Sequence, residues 1–259
     1  MRIATWNVNS VKQRLDHLLN ILRDDGPDVL CLQELKCVDE AFPRREVEAL
    51  GYNVATFGQK AYNGVAIISK APLEDVRRGL PSEEGDQARY LEGVISQPGG
   101  GALRVASIYL PNVNPINTPK FPFKLAWMDC LNAHARSLLA LEEPLVLCGD
   151  FNVIPEAKDA QFPQNWAKDA LFQPETQQKY RELLNLGFTD ALRACDDRTG
   201  IYTFWDYMGG SFQRNNGIRI DHALLSPQAA DRLKSVTVRK ETRAWDRPSD
   251  HVPLVVELT

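Results

Sequence analysis

Gly149-Asp150-Phe151-Asn152 sets a carboxylate and an amide two residues apart. The apolar run Pro144-Leu145-Val146-Leu147-Cys148 comes just before it and reads as a buried strand. Both polar groups therefore fall just past a strand end, where α/β enzymes usually place chemistry. Alone, the tetrapeptide is equally good turn chemistry, because Asp and Asn bond nearby backbone and tolerate a left-handed conformation. Five further polar clusters end strand-like runs in the same way: Asn7, Glu34, Tyr109, Asp221, and the pair Asp250-His251. Each has an ordinary alternative. Asn7 and Asn9 are turn formers, Glu34 a solvated acid, Tyr109 a core-edge aromatic, and Asp221 a partner for Arg219. His251 can be an interior histidine, and Asp250 a turn residue after Pro248. Six such coincidences fit one shared site better than six separate turns.

The residue types suit phosphodiester hydrolysis. That reaction needs an activated water, stabilised charge on the phosphoryl oxygens, and help for the leaving oxygen. Glu34 and Asp250 are hard oxygen ligands suited to Mg²⁺, and Asn7 adds a neutral oxygen; Mg²⁺ keeps several waters, so a sparse set suffices.

The elements that would position these groups can be read in order. Arg2 to Val8 predicts a strand. Ser10 predicts the N-cap of a helix running to Arg23, with Val11, Leu15, Leu18, Leu19 and Leu22 as one apolar stripe and Gly26-Pro27 as its stop. Asp28 to Leu32 predicts a second buried strand, and Pro43 to Leu50 a short helix. Five strand candidates follow without a helix between them: 52–57, 64–69, 73–78, 90–96 and 103–110. That succession implies antiparallel pairing and disfavours a purely parallel fold. Lys120 to Leu141 predicts a long helix, 153–174 a long functional or mobile loop, and Pro174 to Leu186 a further helix. Ile218 to Leu225, Val236 to Lys240 and Val252 to Leu258 predict the closing strands. The runs 28–34 and 145–150 echo each other, each passing from apolar strand to acid. Two packed sheets with helices outside are expected, in one domain spanning residues 1–259.

With 259 residues, 44% apolar and 25% charged, the chain can bury a large core. No run approaches the roughly 18 apolar residues of a membrane helix. The N-terminus reads directly into a strand, so no secretory leader is expected. Five scattered cysteines without a CxxC pair argue against a zinc site and for a reduced, cytoplasmic setting. Cys31, Cys130 and Cys148 read as core fillers. A net charge of −4 speaks against a passive nucleic-acid binder. It does not speak against an enzyme whose metal offsets its carboxylates.

The set Trp6-Asn7-Val8-Asn9, Leu32-Gln33-Glu34, Gly149-Asp150-Phe151-Asn152, Arg219-Ile220-Asp221-His222 and Pro248-Ser249-Asp250-His251-Val252-Pro253 resembles the ordered motifs of the endonuclease/exonuclease/phosphatase superfamily. Gly51-Tyr52-Asn53-Val54, Gly58-Gln59-Lys60, Asn63-Gly64-Val65-Ala66, Tyr109-Leu110-Pro111 and Lys120-Phe121-Pro122 look like its exonuclease III branch of abasic-site endonucleases. The resemblance runs from Arg2 to Leu258 and implies a four-layer α/β/β/α sandwich of two mixed, largely antiparallel sheets, DNase I-like.

The resemblance also implies roles. Glu34 would be the principal ligand of Mg²⁺ (or Mn²⁺), with Asn7 and Asp250 beside it. Asp150 would orient and deprotonate the attacking water, and Asn152 and Tyr109 would donate to the phosphate. Asp221 would hold His251, which faces the phosphate as donor or cation; the sequence leaves open whether His251 is instead the base. Double-stranded DNA with abasic sites or blocked 3′ ends would be the substrate, acted on by a cytoplasmic, nucleoid-associated monomer in base excision repair. Lys12, Tyr62, Arg89, Asn112, Phe204, Met208 and Ile218 are the expected DNA contacts, with Met208 as a minor-groove wedge. Phe204, Trp205 and Ile218 would line a pocket that accepts a sugar lacking its base, with core packing as the ordinary alternative for each; Ile220 reads as core. Lys60, Lys120, Lys124, Arg14 and Arg219 are further candidate phosphate contacts. Residues 112–118 lack the basic residue that some relatives insert into DNA there, and 202–208 look closer to the animal enzymes. Both leave the balance of endonuclease against 3′-exonuclease open. Other branches (secreted deoxyribonuclease, sphingomyelinase, inositol-polyphosphate phosphatase) fit the charge distribution and missing leader less well. A dead scaffold should have lost one of Glu34, Asp150, Asp221 or His251, and all are present.

Overall fold

The computed structural model describes residues 1–81, 85, 87–97 and 100–259. Its strands are β1 Arg2–Asn7, β2 Val29–Gln33, β3 Asn53–Phe57, β4 Val65–Ser69, β5 Leu73–Arg78, β6 Tyr90–Ser96, β7 Ala102–Tyr109, β8 Leu145–Asp150, β9 Thr189–Asp190, β10 Asp221–Leu225, β11 Leu233–Val238 and β12 Leu254–Leu258. They form two sheets, ordered β11-β12-β1-β2-β4-β3 and β5-β6-β7-β8-β10-β9.

The central strands bury both faces. Ile3, Val29, Cys31 and Ile67 of the first sheet share one core with Val105, Val146, Cys148 and Ala223 of the second. On the outer face of the first sheet, Trp6, Leu30 and Leu32 pack with Leu18 and Leu22 of the helical segment 15–25. On the outer face of the second, Ile108, Leu147 and Leu224 pack with Trp127 and Leu131 of the helix Lys120–Leu139 and with Tyr180 and Leu183 of the helix Pro174–Asn185. The result is four layers, α/β/β/α. Double-sided burial explains why these strands read as unbroken apolar runs instead of alternating ones. Each such Leu or Val side chain contributes about 1.5–3 kcal/mol.

Each sheet holds one parallel pair at its centre, β1/β2 and β7/β8, with a helix in the connection. β2 and β8 occupy matching places in the two sheets, which accounts for the echo between 28–34 and 145–150. Topology then decides where the strand ends fall. The C-terminal ends of β1, β2, β7 and β8 reach one rim, as do the starts of β10 and β12, which run antiparallel to β8 and β1. Tyr109 pairs with Asp150 in register, and Asp150 with Asp221.

Two local expectations need correction. Ser10 is not an N-cap: its φ is +86°, its carbonyl accepts from the Arg14 amide, and regular helix begins only at Leu15. That helix widens into a π turn over Ile21–Asp25 and stops at Gly26, whose φ of +51° suits glycine. Ile218 to Ile220 lie outside β10; Ile218 makes single bridges to Ala160 and Phe204 instead.

Arg219, a candidate phosphate contact by sequence, is buried and cannot touch DNA. Its Nε donates to Asp159 Oδ1 at 2.6 Å and its Nη1 to Asp190 Oδ2 at 2.8 Å. Burial raises both carboxyls, but the charge and hydrogen bonds of Arg219, with Arg193 at both and His222 beside Asp190, together outweigh it and hold each below the usual range. A depressed folded-state value stabilises above the unfolded value and loses that contribution as pH falls through the folded one. The thermal midpoint of the protein is therefore expected to fall steeply below about pH 4. Asp159→Asn should lower the midpoint at pH 7, by an amount on the order of 3–5 kcal/mol of stability, and shrink the acid drop; a midpoint equal to that of the unmodified protein at pH 7 would contradict the clamp.

Candidate active site

The turn after β8 depends on its glycine. Gly149 has φ +150°, and a Cβ there would lie 2.0 Å from the Ile108 carbonyl oxygen of neighbouring β7. Phe151 buries itself between Tyr180 and His222, and its amide donates to the Ile220 carbonyl. Anchored on both sides, Asp150 and Asn152 face the rim. Asn152 adopts φ +46°, as the turn reading requires. Its amide donates to Asp150 Oδ1 at 2.9 Å and its Nδ2 to the Leu110 carbonyl at 2.8 Å.

Asn7 at the end of β1 ties the two sheets together. Its Nδ2 donates to Glu34 Oε1 and to Asp150 Oδ2, both at 2.9 Å. Its Oδ1 accepts from the Asn9 amide at 3.0 Å. Glu34 Oε1 also accepts from the Tyr109 hydroxyl at 3.0 Å, and Oε2 lies 2.9 Å from the Lys36 ammonium. Tyr109 is kept a neutral donor, because burial and the nearby carboxylates of Glu34 and Asp150 raise it well above its usual value. The Arg89 guanidinium stacks 4.9 Å above the Tyr109 ring.

His251 completes the cluster. Its Nδ1 meets Asp221 Oδ2 at 2.8 Å, and its Nε2 lies 3.7 Å from Asp150 Oδ2. Ser249 Oγ positions this segment by donating to the Asn7 carbonyl and accepting from the His251 amide. Phe204 packs edge-on against the imidazole at 5.0 Å. Burial disfavours the imidazolium, yet Asp221 and Asp150 outweigh it and push His251 up to about 10. Asp150 is pushed up to about 7, chiefly by burial; His251 opposes this, and Asp221 and Glu34 add to it. Histidine is thus the cation of the pair. Asp150 is a carboxylate poised near neutrality, where a general base is most effective.

Two oxygen sets bear on metal binding. Asp150, Asp221 and His251 bring ligand atoms within 4.8 Å of one another, and Asp221 Oδ1 is buried without a partner. An imidazolium repels a cation, which disfavours this trio. Glu34 and Asp250 fit a hard divalent ion better. Glu34 has already drawn the Lys36 ammonium, and Asp250 Oδ1 accepts from Asn9 Nδ2 at 3.0 Å.

A cavity of about 280 Å³ adjoins the cluster, lined by Asn112, Trp166, Leu171, Phe204, Ile220 and the acids Asp169, Asp206 and Asp250 among others. Asn112 and Phe204 both reach this cavity beside the cluster. Ile218 does not: it is 1% exposed and packs behind the wall with Leu171 and Ile154, while Ile220 faces the cavity. Trp205 is buried too, away from the cavity wall. Tyr62 and Met208 are 71% and 76% exposed, and Lys12 is exposed. Met208 follows Tyr207, whose hydroxyl accepts from Asn9 and Arg14 and donates to the Pro248 carbonyl. Lys124, expected at the surface, is fully buried. Sequence reasoning missed Lys36, Trp166, Asp169, Leu171 and Asp206. The length of the 153–174 loop was the available signal for three of them.

The chain matches the model of the endonuclease/exonuclease/phosphatase family over residues 4–251. It belongs to that family, within its exonuclease III branch, and is a hydrolase of the nuclease kind. It is 31% identical to an exodeoxyribonuclease III of Haemophilus influenzae, over 99% of each chain. Among solved structures, it resembles a 3′ phosphatase from Neisseria bound to a product DNA hairpin, at 40% identity and a TM-score of 0.96, covering 100% of this chain and 99% of that one. It also resembles an abasic-site endonuclease from Archaeoglobus fulgidus, at 35% identity and a TM-score of 0.95 with the same coverage.

Proposed function

We propose that the protein is a Mg²⁺-dependent DNA-repair nuclease that hydrolyses the phosphodiester 5′ to abasic sites and trims blocked 3′ ends. The observation that carries this reading is the single rim where a poised carboxylate, Asp150, a caged imidazolium, His251, and an ion-drawing carboxylate, Glu34, adjoin a partly apolar cavity. The activities named for the relatives above support the substrate class.

Asp150 takes the proton of the attacking water, and Asn7 and the Asn152 amide hold its carboxylate in aim. His251 carries positive charge toward the phosphate, and Asp221 stabilises that charge and fixes the orientation of the ring. Asn152 and Tyr109 supply further donors. A divalent ion, when held by Glu34 and Asp250 with Asn7 alongside, would neutralise charge on the phosphoryl and leaving oxygens. Leu171, Phe204 and Ile220 offer apolar surface to a sugar without its base.

The test is hydrolysis of three substrates in Mg²⁺: a duplex with one abasic site, a duplex ending in a 3′ phosphate, and an inositol polyphosphate. Incision of the first and release of inorganic phosphate from the second are expected. Turnover of the third alone would refute the reading. Met208→Ala is expected to weaken binding to abasic duplex by about tenfold, roughly 1.4 kcal/mol, and binding to undamaged duplex by much less; equal losses in a gel-shift titration would count against a wedge.

A further inference from the structure

Lys124 stands in the first turns of the helix Lys120–Leu139 with no exposed surface. Its Nζ donates to the main-chain carbonyl of Asn152 at 2.6 Å. An ammonium with three donors is costly to bury unless its surroundings answer it. Facing it are Asp150 from β8, Asp169 from the 153–174 loop, and Arg89 ahead of β6. Burial, first, and Arg89 draw its proton away, the two carboxylates retain it, and Lys124 falls to about 7.

The contact falls where the site is most demanding. Asn152 sits at positive φ, which asparagine tolerates better than most residues, and its hydrogen bonds fix the turn in that one conformation. Three bonds hold it: its amide on Asp150, its side chain on the Leu110 carbonyl, and its own carbonyl on Lys124. Without Lys124, the carbonyl of a buried left-handed residue loses its partner, and the peptide is free to rotate. Asp150 Oδ1 would then lose the aim that the Asn152 amide gives it.

We propose that Lys124 is a positioning residue that locks the 149–153 turn from beneath, and so sets the orientation of Asp150 and Asn152 toward the phosphate. The inference rests on the nuclease reading, but its geometric content can be measured without turnover. Lys124→Met removes the donor and keeps the chain length; Lys124→Arg keeps a cationic donor. In the full-length protein, backbone amide exchange over 149–153 should quicken at least about tenfold in Lys124→Met and be restored in Lys124→Arg. On whichever DNA substrate the unmodified protein cleaves, kcat should fall about 10–100-fold with KM within about threefold, and Lys124→Arg should recover most of it. Unchanged exchange over 149–153 in Lys124→Met would overturn the proposal. So would a variant with a lower thermal midpoint but a normal kcat per folded molecule. If the unmodified protein cleaves no DNA, the nuclease reading fails and the exchange result still decides the role of Lys124.

Discussion

Asp150→Asn is expected to reduce kcat by at least about 10³-fold while duplex binding stays within a few-fold of normal. General-base help is worth roughly 10²–10⁴-fold, and an amide cannot accept the water's proton. The change keeps the shape of the side chain and the Oδ1 that accepts from the Asn152 amide. The carboxylate of Asp150 also works against the fold: burial pushes it up to about 7. A group raised in the folded state binds protons more tightly there than in the unfolded chain. Its contribution is therefore present at low pH and lost as pH rises from the unfolded value through the folded one. At pH 8 the variant loses that buried charge but sets its Nδ2 against Asn7 Nδ2, a second donor, so its thermal midpoint should stay close to that of the unmodified protein, although it is inactive. Single-turnover cleavage and the thermal midpoint at pH 8 measure the two halves. Cleavage near the normal rate would remove Asp150 from the role of base.

Glu34→Ala is expected to raise the Mg²⁺ concentration for half-maximal activity by at least about tenfold, and to weaken Mn²⁺ binding measured by calorimetry without DNA. Glu34 supplies two oxygens at the rim and already holds three donors, from Asn7, Tyr109 and Lys36. Burial raises its carboxyl, yet Asn7 and Lys36 together bring it below the usual range, so it is ionised at working pH. An unchanged metal titration would move the ion to the Asp150, Asp221 and His251 trio, which the positive charge on His251 disfavours.

What the sequence made legible follows from the sandwich itself. Strands buried on both faces leave apolar runs that end abruptly, so the polar residue at each end stands out, as at Asn7, Glu34, Asp150 and Asp221. Pairing registers that no local pattern reveals then set these ends side by side, as Tyr109 with Asp150 and Asp150 with Asp221. Charge type misled at Arg219 and Lys124. Both look like surface cations, but their burial is decided by distant partners, Asp159 and Asp190 for one and the Asn152 carbonyl for the other. The sequence sets Ile218 at the pocket and Ile220 in the core, a choice that residue type cannot decide, and the structure reverses the two. Extended backbone alternates its faces one residue at a time, yet here the wall lies on the side of Ile220 while Ile218 packs against Leu171. Lys36 escaped notice because its importance comes only from the carboxylate two residues before it.

Whether this rim cuts DNA with a bound divalent ion can be measured directly. The direct measurement uses a 5′-labelled duplex carrying one abasic site, incubated with the protein in Mg²⁺, in EDTA, and in EDTA followed by excess Mg²⁺. The predicted result is one product ending in a 3′ hydroxyl immediately 5′ to the lesion, lost in EDTA and restored by the metal. Product of equal amount in EDTA, or a 3′ end left by elimination at the sugar, would contradict it.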